Sequence, residues 1–288
     1  MRDYTIYTDS ACDTPAEVLK SWGVKSADLT FHFIGEAVQY DNDAIPPKEF
    51  YAYMRQGKMA QTAAINIETF KDRFRREVEA GKDVLYLGFS SGLSSTYNAG
   101  RMAVEELSAE YPDRKLMAVD TLCASTGQGL LVYLVKCQKE KGASIEEAAS
   151  YAEDMRLKIC HWFTVDTLEY LKRGGRVSAT TAWIGDTLNI KPLMHVDNEG
   201  HLVSVKNVRG RKNAINGIAK KLKETALDLG KYPIYICNSD CQDTVDLLTE
   251  SIKALCGASV EMITDIGPVI GAHTGPGTVA LFFVGKER

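Results

Sequence analysis

The chain has 288 residues, enough for one large or two ordinary domains, and its 45% hydrophobic and 25% charged residues are the composition of a folded globular protein. A formal net charge of −4 argues against a nucleic-acid partner. No apolar run reaches the roughly 18 residues of a membrane span, MRDYTIYTDS lacks the apolar core of a signal peptide, and the seven cysteines contain no C-x-x-C pair, so reduced thiols, a cytoplasmic location and no metal at Cys237 and Cys241 are expected.

In chain order, Tyr4–Thr8 reads as a short strand. Thr14-Pro15-Ala16-Glu17 reads as an N-cap, a first-turn proline and a capping-box acid. An extended run covers 24–33, Pro46-Pro47 opens a helix through about 55, and helical patterning covers 67–80. A buried strand at 83–89, a helix at 93–107, a strand at 115–119 and helices at 126–141 and 144–157 follow, the last with Glu147 completing a capping box from Ser144. Strands separated by helices of this length imply a parallel sheet covered on both faces.

The pattern then changes. Strands at 159–165, 190–196 and 201–205 surround Asp197-Asn198-Glu199-Gly200, a hairpin turn signal. Ile215, Ile218, Ala219 and Leu222 give a helix one apolar face, and strand-like runs at 232–237, 260–263 and 278–284 alternate with a helix at 241–255. The expected fold is α/β with two domains. Residues 1–157 form an N-terminal parallel α/β/α sheet, and 158–288 form a C-terminal α/β domain with a mixed sheet.

Hydroxyl and Gly residues cluster at first-half strand ends: Thr8-Asp9-Ser10, Gln61–Asn66, Ser90–Thr96 and Asp120-Thr121. Ligands of open parallel sheets bind outside such ends, and hydroxyl-rich loops entering helices suit anions, although the same residues serve as plain caps. Gly88-Phe89-Ser90-Ser91-Gly92 matches the G-x-S-x-G elbow of serine hydrolases, with Ser90 as nucleophile and His273 in the right chain order, but no oxyanion segment precedes it. Leu171–Ser178 sets three cations around Gly174-Gly175, which fits an anion cradle or equally a helix C-terminus. Asp265–Gly277 reads as an irregular apolar loop carrying His273, a shape suited to closing over a ligand. The other histidines read as structural or surface residues.

Thr8-Asp9-Ser10, the Thr62 turn, Ser90–Asn98, Asp166–Ser178, Ile190–Leu193 and Ala272–Gly277 together resemble the DegV family of bacterial fatty-acid-binding proteins, in family order along essentially the whole chain. The resemblance implies a long-chain fatty acid as ligand, no cofactor and no catalytic residue of the chain's own. It also implies a separate ATP-using fatty acid kinase subunit as partner, which phosphorylates the bound carboxylate to an acyl phosphate. It assigns the carboxylate to Thr62, Ser94, His273 and Arg176, and a role toward the partner to Arg209. The chain departs from the family's usual Thr-Ser-Gln-Pro at Thr62-Ala63-Ala64-Ile65, and from its Leu-Ser-Gly-Thr at Leu93-Ser94-Ser95-Thr96. Both loops should differ in shape while keeping the two hydroxyls.

A buried carboxylate needs hydrogen bonds, which two hydroxyls and a cation would supply. Trp183, Ile184, Leu188, Ile190, Leu193, Ile266 and Ile270 are the residues expected along the acyl chain. The alternatives are a hydrolase using Ser90 and a fatty-acid sensor without a kinase. Cationic Asn207–Lys212 is expected to be exposed, with Arg209, Arg211 and Lys212 placed unfavourably for a helix start.

Overall fold

A computed structural model of the chain describes residues 3–177 and 189–288. Its first half comprises β1 (Tyr4–Asp9), a 3-10 turn (Ser10–Cys12), α1 (Ala16–Ser21), β2 (Val24–Ala27), β3 (Thr30–Phe33), β4 (Tyr40–Asp41), α2 (Pro47–Arg55), β5 (Ala60–Ala63), α3 (Ile67–Glu79), β6 (Asp83–Gly88), α4 (Thr96–Glu110), β7 (Leu116–Asp120), α5 (Thr126–Glu140) and α6 (Ile145–Arg156). The second comprises β8 (Ile159–Thr164), α7 (Glu169–Arg173), β9 (Ile190–Val196), β10 (Leu202–Arg209), α8 (Arg211–Thr225), β11 (Tyr235–Asn238), α9 (Gln242–Cys256), β12 (Met262–Asp265), α10 (Pro268–Thr274) and β13 (Val279–Val284).

The expected parallel sheet is present, with strand order β2-β1-β6-β7. Side chains alternate across a strand, so each strand feeds two cores. Tyr7, Val84 and Tyr86 pack with Phe70 and Phe74 of α3 and Leu107 of α4. Ile6, Leu85 and Leu87 turn the other way, onto Leu130 of α5 and Ala148 of α6.

The expected mixed sheet has order β10-β9-β8-β13-β11-β12, in which β11 and β12 run parallel and the other pairs antiparallel. One face packs Trp162, Leu193, Ile236 and Leu281 against Ile215 and Ile218 of α8 and Leu248 of α9. The other face carries Phe163, Met194, Cys237, Ala280 and Phe282 and shares a core with α5. That helix lies between the two sheets, and every residue from Thr126 to Val132 is buried. A helix buried all round must be apolar, small or hydrogen-bonded on every side. Accordingly, a Cβ on Gly127 would lie 2.3 Å from His161 Nε2, and one on Gly129 2.2 Å from Thr14 Oγ1.

Four expectations need correction. The run 24–33 divides: β2 pairs with β1, whereas β3 joins β4 and β5 in a small antiparallel sheet of three strands. Thr14 does not cap α1; its hydroxyl donates to Cys12 O at 3.3 Å and Pro15 occupies the cap position. The segment 265–277 is not an irregular loop, because Gly267 and Pro268 start helix α10, a proline at the first position being compatible with a helix. Strand β10 runs on to Arg209, past a register shift between Ser204 and Lys206.

The capping box at α6 forms as expected. Glu147 N donates to Ser144 Oγ at 3.2 Å and Ser144 N donates to Glu147 Oε2 at 2.7 Å. Ser144→Ala should lower stability by about 1 kcal/mol. The urea midpoint should fall with an unchanged slope, and an unchanged midpoint would mean that the cap contributes nothing here.

Candidate ligand-binding site

The strand-end donors that looked suited to a ligand anion are taken by the protein's own carboxylates. Asp9 accepts from Phe89 N at 2.9 Å, Tyr86 Oη at 2.8 Å and Ala11 N at 3.2 Å. Burial nevertheless pushes its carboxyl up to about 6. Asp120 likewise accepts from Leu122 N at 3.0 Å and Ser91 N at 3.2 Å. These clusters close the tops of β1, β6 and β7, and the cavity lies beside them.

That cavity, about 290 Å³, opens between the N-terminal end of α5 and the α5-facing side of the mixed sheet. Thr62, Ser94, Arg176 and His273 all line it, brought from β5, the turn before α4, the turn after α7, and α10. Thr62 Oγ1 lies 2.8 Å from His273 Nε2. Ser94 Oγ accepts from Thr96 N at 3.2 Å and pairs with Thr96 Oγ1 at 2.9 Å. Arg176 Nε donates to Leu93 O at 3.0 Å, and its Nη1 donates to Gly174 O. Gly174 itself is tight against the histidine: a Cβ there would lie 2.3 Å from His273 Nδ1.

Among the described residues, charge at this end is unbalanced. Among the described residues Arg176 has no carboxylate partner, although burial lowers its pKa from the ordinary arginine value. His273 is held at about 4, by burial first and then by Arg176 and Arg173, so it is neutral at pH 7. Its Nδ1 is buried and meets no partner among the described residues. A half-buried cation without an anion is costly, and a ligand carboxylate would answer it.

Of the residues expected along an acyl chain, Ile266 and Ile270 line the cavity. Leu193 does not: strand alternation turns it away, into the core with α8 and α9. Ile190, opposite Arg209 on the neighbouring strand, does not line it either. Trp183, Ile184 and Leu188 lie outside the described residues. The apolar wall comes instead from Phe163, Val196, Ala280 and Phe282 of the mixed sheet, with Leu29, Phe89 and Leu93 across from them.

His161, read from sequence as structural or surface, also lines the cavity. Its Nδ1 faces Ile159 O at 2.9 Å and its Nε2 accepts from Ala124 N at 3.3 Å, which fixes the tautomer, and burial keeps it neutral. Ser125 lies nearby, with its Oγ bonded to Asp13 Oδ2 and 3.3 Å from Cys237 Sγ. Burial pushes Asp13 up to about 8, and Asp13 Oδ1 accepts from Gly267 N at the start of α10 at 2.9 Å.

Ser90 has none of the surroundings of a nucleophile. It is fully buried, its Oγ donates to Gly200 O at 2.9 Å, and it does not line the cavity, while His273 is engaged with Thr62. Arg209 is exposed, as expected, and lies on a separate groove with Lys206, Lys220 and Lys221. Arg211, by contrast, is explained by structure: it pairs with Asp166 at 3.2 Å and donates to Gly277 O, tying α8 to the turn before β13.

Comparison with known proteins gives one consistent result. The family model described as an uncharacterised protein of the DegV family matches residues 3–286. A DegV domain-containing protein of Clostridium perfringens is 40% identical over 296 residues, covering 100% of this chain and 99% of that one. A DegV family protein of Thermus thermophilus, solved for its fatty-acid binding, superimposes with a TM-score of 0.85 at 32% identity, covering 99% of this chain and 100% of that one. A stearic-acid-binding protein of Eubacterium ventriosum gives 0.87 at 26% identity, covering 98% of each chain.

The depressed pKa of His273 has a measurable consequence. Between its folded value of about 4 and the ordinary histidine value near 6.5, the unfolded chain binds a proton that the folded one refuses. Stability is therefore lost as pH falls through that window. The stability difference between wild type and His273→Asn should shift by about 2 kcal/mol against the wild type between pH 7 and pH 5. Urea denaturation at both pH values measures this, and a constant difference would show an ordinary histidine.

Proposed function

Since the chain belongs to the DegV family, we propose that it binds one long-chain fatty acid in this cavity and presents the carboxylate to a separate ATP-using kinase subunit for acyl-phosphate formation. The observation that carries this reading is a half-buried Arg176, without an anion among the described residues, at the polar end of an otherwise apolar cavity. In this reading the carboxylate meets Thr62, Ser94 and Arg176, with His273 set behind Thr62. The tail runs over Ile266, Ile270, Phe163 and Phe282.

The energetics divide the labour. Each buried methylene contributes about 0.8 kcal/mol, so a chain of about sixteen carbons gains on the order of 10 kcal/mol before the costs of association. The tail supplies affinity, and the polar end supplies orientation. A hydrolase reading has no support in the geometry, because Ser90 Oγ is committed to Gly200 O away from any base. A sensor would use the same cavity. The groove of Lys206, Arg209, Lys220 and Lys221 on a chain of net charge −4 favours presentation, since an exposed arginine can meet an acidic partner or charge developing on a transferred phosphate.

Titration with fatty acids of increasing length should give tighter binding with each added methylene until the cavity is full. Thr62→Ala and Ser94→Ala should each cost about 1.5–3 kcal/mol with the fold retained. Equal affinity for acetate and palmitate would refute the reading.

Arg209→Ala should keep fatty-acid affinity within about threefold while sharply reducing acyl-phosphate formation in a reconstituted assay with the kinase subunit. Parallel loss of binding and turnover would assign Arg209 to the pocket, and loss of neither would remove it from the function.

A further inference from the structure

The G-x-S-x-G stretch is the motif that fatty-acid binding leaves without a role. Ser90 Oγ donates to Gly200 O at 2.9 Å and accepts from Gly92 N at 3.2 Å. Its backbone carbonyl accepts from Leu93 N at 3.0 Å and from Ser94 N at 3.1 Å. One residue thus shapes the turn that carries Ser94 and fastens that turn to the tip of the β9–β10 hairpin.

The approach is too close for any other side chains. Gly200 has φ +81°, and a Cβ there would lie 2.1 Å from Ser90 Oγ. A Cβ on Gly92 would lie 2.8 Å from Glu199 O. The two segments joined are two walls of the cavity. Phe89, Leu93 and Ser94 belong to one, and Val196 and Leu202, on either side of the hairpin tip, belong to the other. The turn also carries the Leu93 carbonyl that receives Arg176 Nε, so both Ser94 and Arg176 depend on where it sits.

We infer that Ser90 is a positioning residue for ligand binding: by pinning the Ser94 turn to the hairpin tip, it holds the carboxylate-binding groups in place. This rests on the fatty-acid reading of the cavity. Ser90 does not line the cavity, so its effect passes through Ser94 and Arg176, and that dependence separates it from a residue that merely fills space.

The test is a double-mutant cycle on the full chain, with palmitate affinity measured for wild type, Ser90→Ala, Ser94→Ala and the double variant. Ser90→Ala should weaken palmitate binding about fivefold, the scale of one lost neutral hydrogen bond. In the Ser94→Ala background the same change should cost less, about two- to threefold, because only Arg176 is left for the turn to position. An equal loss in both backgrounds, or a lowered melting temperature with unchanged affinity, would overturn the inference and leave the fatty-acid reading standing. A wild type that binds no palmitate would overturn both. If circular dichroism shows Ser90→Ala unfolded, Ser90→Cys, nearly the same size with a weaker donor, carries the same cycle with the same expected sign.

Discussion

Two sheets share one helix, and the rest of the architecture follows from that. Helix α5 must satisfy the parallel sheet on one side and β8, β11 and β13 on the other, so its first two turns are buried all round. The glycines at 127 and 129 let it approach both, one against His161 and Phe282 and the other against Thr14. Gln128, between them, spends its amide on Thr8 Oγ1 at 3.0 Å and Asp9 Oδ1 at 3.2 Å, anchoring the helix to the end of β1. The helix begins at Thr126, and Ala124 and Ser125 just before it already line the cavity. Beyond that point no helix among the described residues continues α5 along this face of the mixed sheet, and protein interiors do not tolerate large apolar voids cheaply. A cavity lined by Phe163, Ala280 and Phe282 is the space that the helix does not fill.

Helix α10 closes this space, and it is held from the far half of the chain. Asp13 takes Gly267 N, and Asn42 Oδ1 takes Val269 N at 2.8 Å, so two of its free N-terminal donors are satisfied by residues more than two hundred positions away. Tyr51 Oη adds a bond to Ile266 O at 2.7 Å, and a Cβ on Gly271 would lie 2.3 Å from that hydroxyl. His273, in its last turn, thereby reaches Thr62 on β5. The polar end of the cavity is thus assembled across the whole chain, and no local stretch of sequence contains it.

This explains what could be read from sequence and what could not. The parallel sheet, the 197–200 hairpin and the Ser144–Glu147 box rest on local periodicity and turn chemistry, and they appear as expected. Strand β4 has two residues and β5 is Ala-Gln-Thr-Ala, too short and too plain to announce a sheet. The segment Gly267-Pro268 resembles a loop because both residues are common breakers, yet Gly at the cap and Pro at the first position also open helices. In β8 and β13 nearly every residue is buried, so alternation alone could not say which face met a helix and which a cavity. Leu193, on β9, faces the core with α8 and α9, and its apolar character alone does not distinguish it from Val196 on the same strand or from Phe163 and Phe282, which line the cavity. The role of Ser90 depends on a contact 110 residues away, so its short motif pointed to chemistry that its surroundings do not support.

The cavity's polar groups differ in whether they are already satisfied, and that difference would orient an amphiphile bound there. Toward the mixed sheet, His161 has both ring nitrogens bonded to backbone and Ser125 is bonded to Asp13. Thr278 donates to Thr274 O at 3.1 Å, and Thr274 donates to Ile270 O at 3.3 Å. These groups have no donor left for a carboxylate, since each hydroxyl proton and the His161 Nδ1 proton is already given to a protein acceptor. At the other end, Arg176 has donors and a charge that no described residue takes up, and Thr62 sits beside a neutral histidine whose Nδ1 meets no partner among the described residues. Reversing the ligand would bury a carboxylate among groups with no donor to give and leave Arg176 without an anion among the described residues, two penalties that add. The oriented pose needs no specific contact along the tail, so acyl chains of different length and bend can share one head-group geometry.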